Sequence, residues 1–354
     1  MARPYALLRA GFPYLKTIGE FKRTIFPADL AIRRDGIIYS LGAGAPNYGK
    51  GKSGPIYVTN LNDDNLGSFG FRQDRHRPVS PACTTRFPCQ IVLDAKQERI
   101  FITDNGADQV NIFSVDDHYP QYLGRWGQSG AGKGQINRPS GIALDAEDNV
   151  WVVDSENHRV QKFTADGKHL TSFGEHGTGD GQFVSPWGIH IDELGQIYIA
   201  DWRNDRIQVF DQDGRFLWKF GSPGEGNGEF RRPAGVAVDS DGDIFVCDWG
   251  NNRVQLFTPE GRYVQQFRGD ATLSKQTLER AFQRSAKQKR MRGDATVEQE
   301  KYFTRPRSVR VDQRGHMYVP DFEHYRIQIY KKEAYPLDET QILPPFKVPT
   351  LNAN

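Results

Sequence analysis

Arg138-Pro139-Ser140-Gly141-Ile142-Ala143-Leu144-Asp145 is followed 47 residues later by Ser185-Pro186-Trp187-Gly188-Ile189-His190-Ile191-Asp192, and after the same interval by Arg232-Pro233-Ala234-Gly235-Val236-Ala237-Val238-Asp239. A phrase that returns at such a period marks an array of like units. Each copy leads through a turn into a short apolar run ending in Asp, as in Val150-Trp151-Val152-Val153-Asp154. A loop and a second run headed by Arg follow, as in Arg159-Val160-Gln161-Lys162-Phe163. Alternating runs of this length, bounded by Asp-Gly or Asn, are strands. One more strand, Leu170-Thr171-Ser172-Phe173 or Phe216-Leu217-Trp218-Lys219-Phe220, completes the unit before a glycine. Four short antiparallel strands per repeat describe a propeller blade.

Looser copies open at Phe26-Pro27-Ala28, Phe87-Pro88-Cys89 and Arg305-Pro306-Arg307, so the sequence predicts six blades starting near residues 27, 88, 139, 186, 233 and 306. The sixth ends after Arg326-Ile327-Gln328-Ile329-Tyr330 without an outer strand, whereas Tyr14-Leu15-Lys16-Thr17-Ile18-Gly19 has the outer-strand pattern. The expectation is an all-β, six-bladed β-propeller over residues 1–332 whose N-terminal strand closes the last blade, because an open array would leave two unpaired edges. Residues 333–354 read as an extended C-terminal arm.

The segments Asn157-His158-Arg159-Val160-Gln161, Asn204-Asp205-Arg206-Ile207-Gln208 and Asn251-Asn252-Arg253-Val254-Gln255 resemble the NHL-repeat family. The resemblance covers roughly residues 14–332, is strongest over 138–268, and implies the six-bladed fold. That family includes RNA-binding and protein-binding modules as well as amidating lyases that cleave hydroxyglycine peptides, so function has to be read from the site. In the lyases, zinc-binding histidines stand directly after the repeat proline. Here that slot holds Ala28, Cys89, Ser140, Trp187, Ala234 and Arg307, and the zinc site does not carry over.

A formal charge of +2 on 354 residues supplies no global field to recruit nucleic acid or a membrane. Three cysteines, Cys83, Cys89 and Cys247, make no disulfide framework, and pairing of Cys83 with Cys89 stays open. No run approaches the roughly 18 apolar residues of a membrane span. The N-terminal segment lacks the apolar core of a secretion signal, so a cytoplasmic location is expected. No metal or nucleotide cofactor is assigned, and oligomeric state stays open.

The chain departs from its own repeat in the loops of one face. Blade one carries an enlarged loop over 42–52, blade two is entered through 71–87, and an insert over 270–304 separates blades five and six. Long loops gathered on a rigid ring are a usual seat of function. Within the insert, Leu278, Phe282 and Ala286 form a stripe with Arg280, Arg284 and Lys287 opposite, predicting a helical lid that presents Phe282, Arg284 and Lys287.

Beside it, positions that are small in other blades hold Trp187, Trp202, Trp249, Phe322 and Arg307, and Cys89 shares the slot after the proline. Aromatics with one cation around a concavity suit a planar or apolar ligand carrying negative charge. Further along the first strand, His190 and Arg310 replace the alanines at 31, 143 and 237, and are candidates for polar roles in the channel. The first reading is a binding propeller taking a small molecule, peptide or acidic protein at the loop face. An alternative is a lyase or hydrolase at the channel mouth, with a metal on His190 and Cys89 or an anion held by Arg307 and Arg310. RNA binding through the loop face is a third, disfavoured by the modest charge.

Three further motifs are discounted. Gly127-Gln128-Ser129-Gly130-Ala131-Gly132-Lys133-Gly134 is close to a phosphate-binding loop, but it aligns with Gly174–Gly181 and Gly221–Gly228 and reads as a blade-to-blade turn. Asp239-Ser240-Asp241-Gly242-Asp243 resembles a calcium loop without its closing glutamate and reads as a hairpin turn. Asp154, Asp201, Asp248 and Asp321, each five residues before an Arg, read as repeated ion pairs that stabilise loops.

Overall fold

A computed structural model describes residues 8–19, 26–43, 56–69, 85–115, 120–271 and 301–336. It contains six four-stranded antiparallel sheets. Blade three is typical, running outward from the channel through Pro139–Leu144, Val150–Asp154, Arg159–Phe163 and His169–Phe173. Blades four and six have shorter inner strands, Ile189–Ile191 and Arg310–Val311. The outer strand of blade six is Tyr14–Gly19, which pairs antiparallel with Arg326–Lys331 so that Ile18 faces Ile327. A separate two-stranded ribbon joins Leu8–Gly11 to Glu333–Pro336. The first residues of the expected arm are therefore paired strand.

Among the described residues there is no α-helix, only single turns of tighter 3-10 helix. None of their helices is long and apolar enough to cross a membrane. The expected helical lid, with Phe282, Arg284 and Lys287, lies outside the described residues, as do Cys83 and most of the enlarged loops over 42–52 and 71–87.

Six buried apolar clusters lie between successive blades and carry the packing round the ring. Ile18, Leu30, Ile38, Tyr318, Ile327 and Ile329 join blade six to blade one, and Trp151, Val153, Ile189 and Phe210 join three to four. Alternation produces this layout: in a strand every second side chain faces the neighbouring sheet, and both faces of each blade are covered. Each fully buried Ile or Phe contributes about 1.5–3 kcal/mol relative to exposure.

The polar letters of the repeat hold the loops. Arg206 Nε donates to Asp201 at 2.9 Å, with equivalent bonds from Arg159 to Asp154, Arg253 to Asp248 and Arg326 to Asp321 at 2.8 Å each. The rest of the Arg206 guanidinium donates to the carbonyls of Thr178, Gly179 and Gln182. The glycine-rich segments therefore turn carbonyl oxygens toward a resident cation. That polarity is the reverse of a phosphate cradle, in which backbone N–H groups face the ligand.

A second device narrows the channel. The position two after the repeat proline is Gly141, Gly188 and Gly235 in blades three to five, and a Cβ on Gly188 would sit 2.5 Å from the Ala234 carbonyl oxygen. Blades one, two and six place Asp29, Gln90 and Ser308 there and use them as stitches: Asp29 accepts from Ile91 N–H at 3.0 Å and Ser308 Oγ at 2.5 Å, and Gln90 accepts from Ile142 N–H at 3.0 Å.

Candidate functional site

On the loop face, the loops joining second to third strands and the entries to the next blades surround a concavity of about 340 Å³. Its walls include Trp187, Trp202, Trp249 and Arg307, four residues singled out from the sequence, together with Asn105 and Arg138. Trp187 and Trp202 have ring centroids 5.9 Å apart with planes tilted by 38°, and Trp202 meets Trp249 edge-on at 6.1 Å. All three rings are partly exposed. The Arg307 guanidinium lies 3.7 Å from the centroid of Phe322, which is backed by Phe26 at 5.2 Å. Phe322 thus positions the arginine from behind rather than lining the cavity.

Local backbone chemistry explains why arginines gather here. The residue before the repeat proline has a left-handed φ at Arg138 (54°), Ser185 (50°), Arg232 (55°) and Arg305 (52°). Its N–H is held by the preceding blade: Arg138 donates to Asp108 at 2.7 Å, Arg232 to Asp205 at 2.6 Å, Arg305 to Asn252 at 2.8 Å, and Ser185 to His158 Nδ1 at 3.0 Å. Those four acceptor residues are also left-handed, a conformation that costs non-glycine residues energy and persists where surroundings impose it. Arg232 and Arg203 then lie 5.0 and 5.8 Å from the Trp202 centroid, and Arg305 lies 5.4 Å from that of Trp249, within cation–π range. Sequence reasoning looked after the proline and missed Arg138, Arg232 and Arg305. The signal was the recurring Arg before it.

Charge around the pocket is unevenly compensated. Arg138 pairs with Glu156 at 3.6 Å and Arg305 with Glu323 at 3.0 Å. Arg307 has no hydrogen-bond or ion-pair partner among the described residues. Burial lowers its pKa. Cys89 donates weakly to the Phe87 carbonyl, and burial pushes its thiol up to about 12 despite the Arg307 charge.

His190 and Arg310 occupy other levels. Burial, and then the Arg310 charge, bring the His190 imidazole down to about 3, with the Val238 carbonyl as its hydrogen-bond partner. Arg310 is committed to structure: its guanidinium forms a two-pronged ion pair with the fully buried Asp29, its Nε bond measuring 2.9 Å. It lines a different concavity of about 510 Å³ at the opposite mouth, among turns of blades six, one and two. The structure therefore brings Trp187, Trp202, Trp249 and Arg307 together, with Phe322 and Cys89 behind and beside Arg307, and separates His190 and Arg310 from them. Among the described residues no group of three or more His, Cys, Asp or Glu side chains is arranged to hold a metal ion.

Comparison with known proteins agrees with the repeat reading. Residues 137–163, 183–210 and 230–257 match the NHL repeat model, so the chain carries three such repeats, in blades three to five. Over 47 residues it is 38% identical to Protein brain tumor of Drosophila melanogaster, a stretch amounting to 13% of this chain and 4% of that protein. The chain thus spans a small fraction of that relative. Among solved structures it resembles virginiamycin B lyase from Staphylococcus aureus, in a catalytically inactive form with quinupristin, at 13% identity and a TM-score of 0.52, covering 94% of this chain and 90% of that one. It also resembles an auxiliary nutrient binding protein from Bacteroides thetaiotaomicron, at 13% identity and a TM-score of 0.57, covering 92% and 76%. At these identities the likeness establishes the propeller fold.

Proposed function

We propose that this NHL-repeat propeller is a binding protein that captures a small molecule, or a compact side chain of a peptide or acidic protein, at the loop-face mouth over blades four to six. The observation that carries the reading is the convergence of Trp187, Trp202 and Trp249 on one concavity whose floor cation, Arg307, has no partner among the described residues. At about 340 Å³ the space is at the small end of the range typical of ligand pockets, roughly 300–1,000 Å³. The ring scaffold keeps the mouth preformed, which lowers the entropy cost of binding. Cys89 and Phe322 belong to the support of Arg307; His190 and Arg310 fall outside the ligand set.

Two features weigh against the catalytic alternative. A thiol raised to about 12 and an imidazole lowered to about 3 are both poorly matched to proton transfer near neutral pH. The similarity to a nutrient-binding propeller is compatible with ligand capture, and that to a lyase with the alternative; neither decides between them.

The test is native mass spectrometry combined with a thermal-shift screen, run on the parent protein and on Trp202→Ala. A retained adduct or a stabilising compound whose effect disappears in Trp202→Ala supports the reading. An adduct or shift that persists unchanged in the variant removes the site from where it is placed here.

A further inference from the structure

The polar inventory of the pocket is one-sided. Three indole N–H groups, on Trp187, Trp202 and Trp249, and the guanidinium of Arg307 have no hydrogen-bond partner among the described residues. Arg203, at the rim, likewise offers only donors. The acceptors nearby are few: Asn105 Oδ1 takes the Arg138 Nε at 3.3 Å, Glu156 pairs with Arg138, the Ser155 hydroxyl donates to the Pro186 carbonyl at 2.6 Å, and the Ser185 hydroxyl can serve as donor or acceptor. Donors outnumber acceptors in such walls, so a ligand that satisfies them brings mainly acceptors.

The number of charges is bounded as well. Arg307 is the one wall cation that is both half-buried and unpaired among the described residues, whereas Arg203 is exposed and screened by solvent. Glu156 and its partner Arg138 form an exposed pair at the edge of the cavity and offset each other in charge. A single carboxylate matches one guanidinium fork in charge and in geometry. A phosphate monoester, with close to two charges, needs a second cation beside Arg307, and the others in the wall, Arg138 and Arg203, are exposed and screened. The remaining wall is aromatic, with rings tilted and edge-on to one another so that faces and edges are both presented to a planar guest.

Building on the proposed binding function, we infer that the ligand is a planar aromatic monocarboxylate, with its carboxylate on Arg307 and its ring among Trp187, Trp202 and Trp249. Specificity then resides in Arg307, held in place by Phe322, and the tryptophans select for flat apolar bodies.

Isothermal titration calorimetry with three pairs of probes tests this: benzoate, naphthoate and indole acetate, each against its neutral amide, with naphthyl phosphate as the dianion. The expected result is saturable binding of at least one carboxylate, with its amide at least tenfold weaker, or about 1.4 kcal/mol, and naphthyl phosphate no tighter than naphthoate. Arg307→Gln removes the preference of carboxylate over amide without weakening the amide, and Arg307→Lys restores part of it. Thermal melting of both variants confirms that they fold. Equal affinity for carboxylate and amide, or tighter binding of the phosphate, overturns the monocarboxylate and leaves the pocket standing. No saturable binding of any probe to the parent protein overturns the inference and counts against the binding function itself.

Discussion

Lys332→Met is the substitution whose outcome can be worked furthest from the structure. Just past the third strand of blade six, the Lys332 ammonium enters the turn of blade five and lies 2.6 Å from Asp239, 3.0 Å from Asp241 and 2.6 Å from Asp243. The Asp-x-Asp-Gly-Asp turn that resembles a calcium loop thus already holds a cation, supplied by the chain. Gly242, at a φ of 86°, closes the turn. The side chains of Lys332 and Asp239 are largely covered and that of Asp241 is more open, so the loss is dominated by the two shorter contacts. Removing one partner of a buried ion pair costs about 3–5 kcal/mol. With 354 residues and about 2.1 cal/mol/K per residue, the unfolding entropy is about 0.7 kcal/mol/K, so the variant melts about 4–7 °C below the parent.

Protonation sharpens this prediction. Burial alone would lower the Lys332 pKa, but the carboxylates of Asp239 and Asp243 outweigh it and raise the value. Its stabilisation is therefore complete below the ordinary lysine pKa and fades only as pH rises through the raised folded value. Burial raises the Asp239 pKa, and Lys332 partly opposes that. Without the ammonium Asp239 takes up a proton more readily still, so the stability deficit of Lys332→Met narrows as pH falls from about 7 to about 5. The triple variant with Asp239→Asn and Asp243→Asn recovers most of the melting temperature, and millimolar calcium stabilises Lys332→Met but not the parent. Calorimetric melting across pH reads all of these. A Lys332→Met protein that melts with the parent at neutral pH would refute the account of the cage.

Arg310→Met leaves the Asp29 carboxylate buried with its cation gone, so urea unfolding should show a loss of about 3–5 kcal/mol, largely recovered by adding Asp29→Asn. Arg307→Gln gives up only its contact with Phe322 and should cost no more than about 0.5–1 kcal/mol by the same measurement; a loss as large as that of Arg310→Met would make Arg307 a packing residue. Gly188→Ala drives a Cβ into the Ala234 carbonyl and should destabilise by about 1–3 kcal/mol, whereas unchanged melting would mean the inner strands have room to separate.

The blades were legible because their signal repeats: a proline, a strand ending in Asp, then Asn-x-Arg-x-Gln every 47 residues in the centre of the chain. The same repetition exposed the aromatic cluster, since Trp187, Trp202 and Trp249 break positions that are small elsewhere. Arg310 broke the pattern just as plainly, yet its meaning depended on Asp29, 281 residues earlier and joined to it only by the ring. The Lys332 cage was hidden for a like reason, because an ion pair across 93 residues leaves no local periodicity. Arg232 and Arg305 were overlooked because an Arg-Pro step reads as a solvated turn until its left-handed backbone is seen to fold it over an indole.

Fluorine NMR of fluorotryptophan-labelled protein tests the location of the site most directly, because the six tryptophans divide cleanly. Trp187, Trp202 and Trp249 line the mouth, whereas Trp126 and Trp218 lie on the outer strands of blades two and four and Trp151 is buried between blades three and four. On addition of a saturating aromatic carboxylate, the resonances of Trp187, Trp202 and Trp249 should shift together along one binding curve while the other three stay in place. Saturable shifts confined to Trp126, Trp151 or Trp218 would contradict the account.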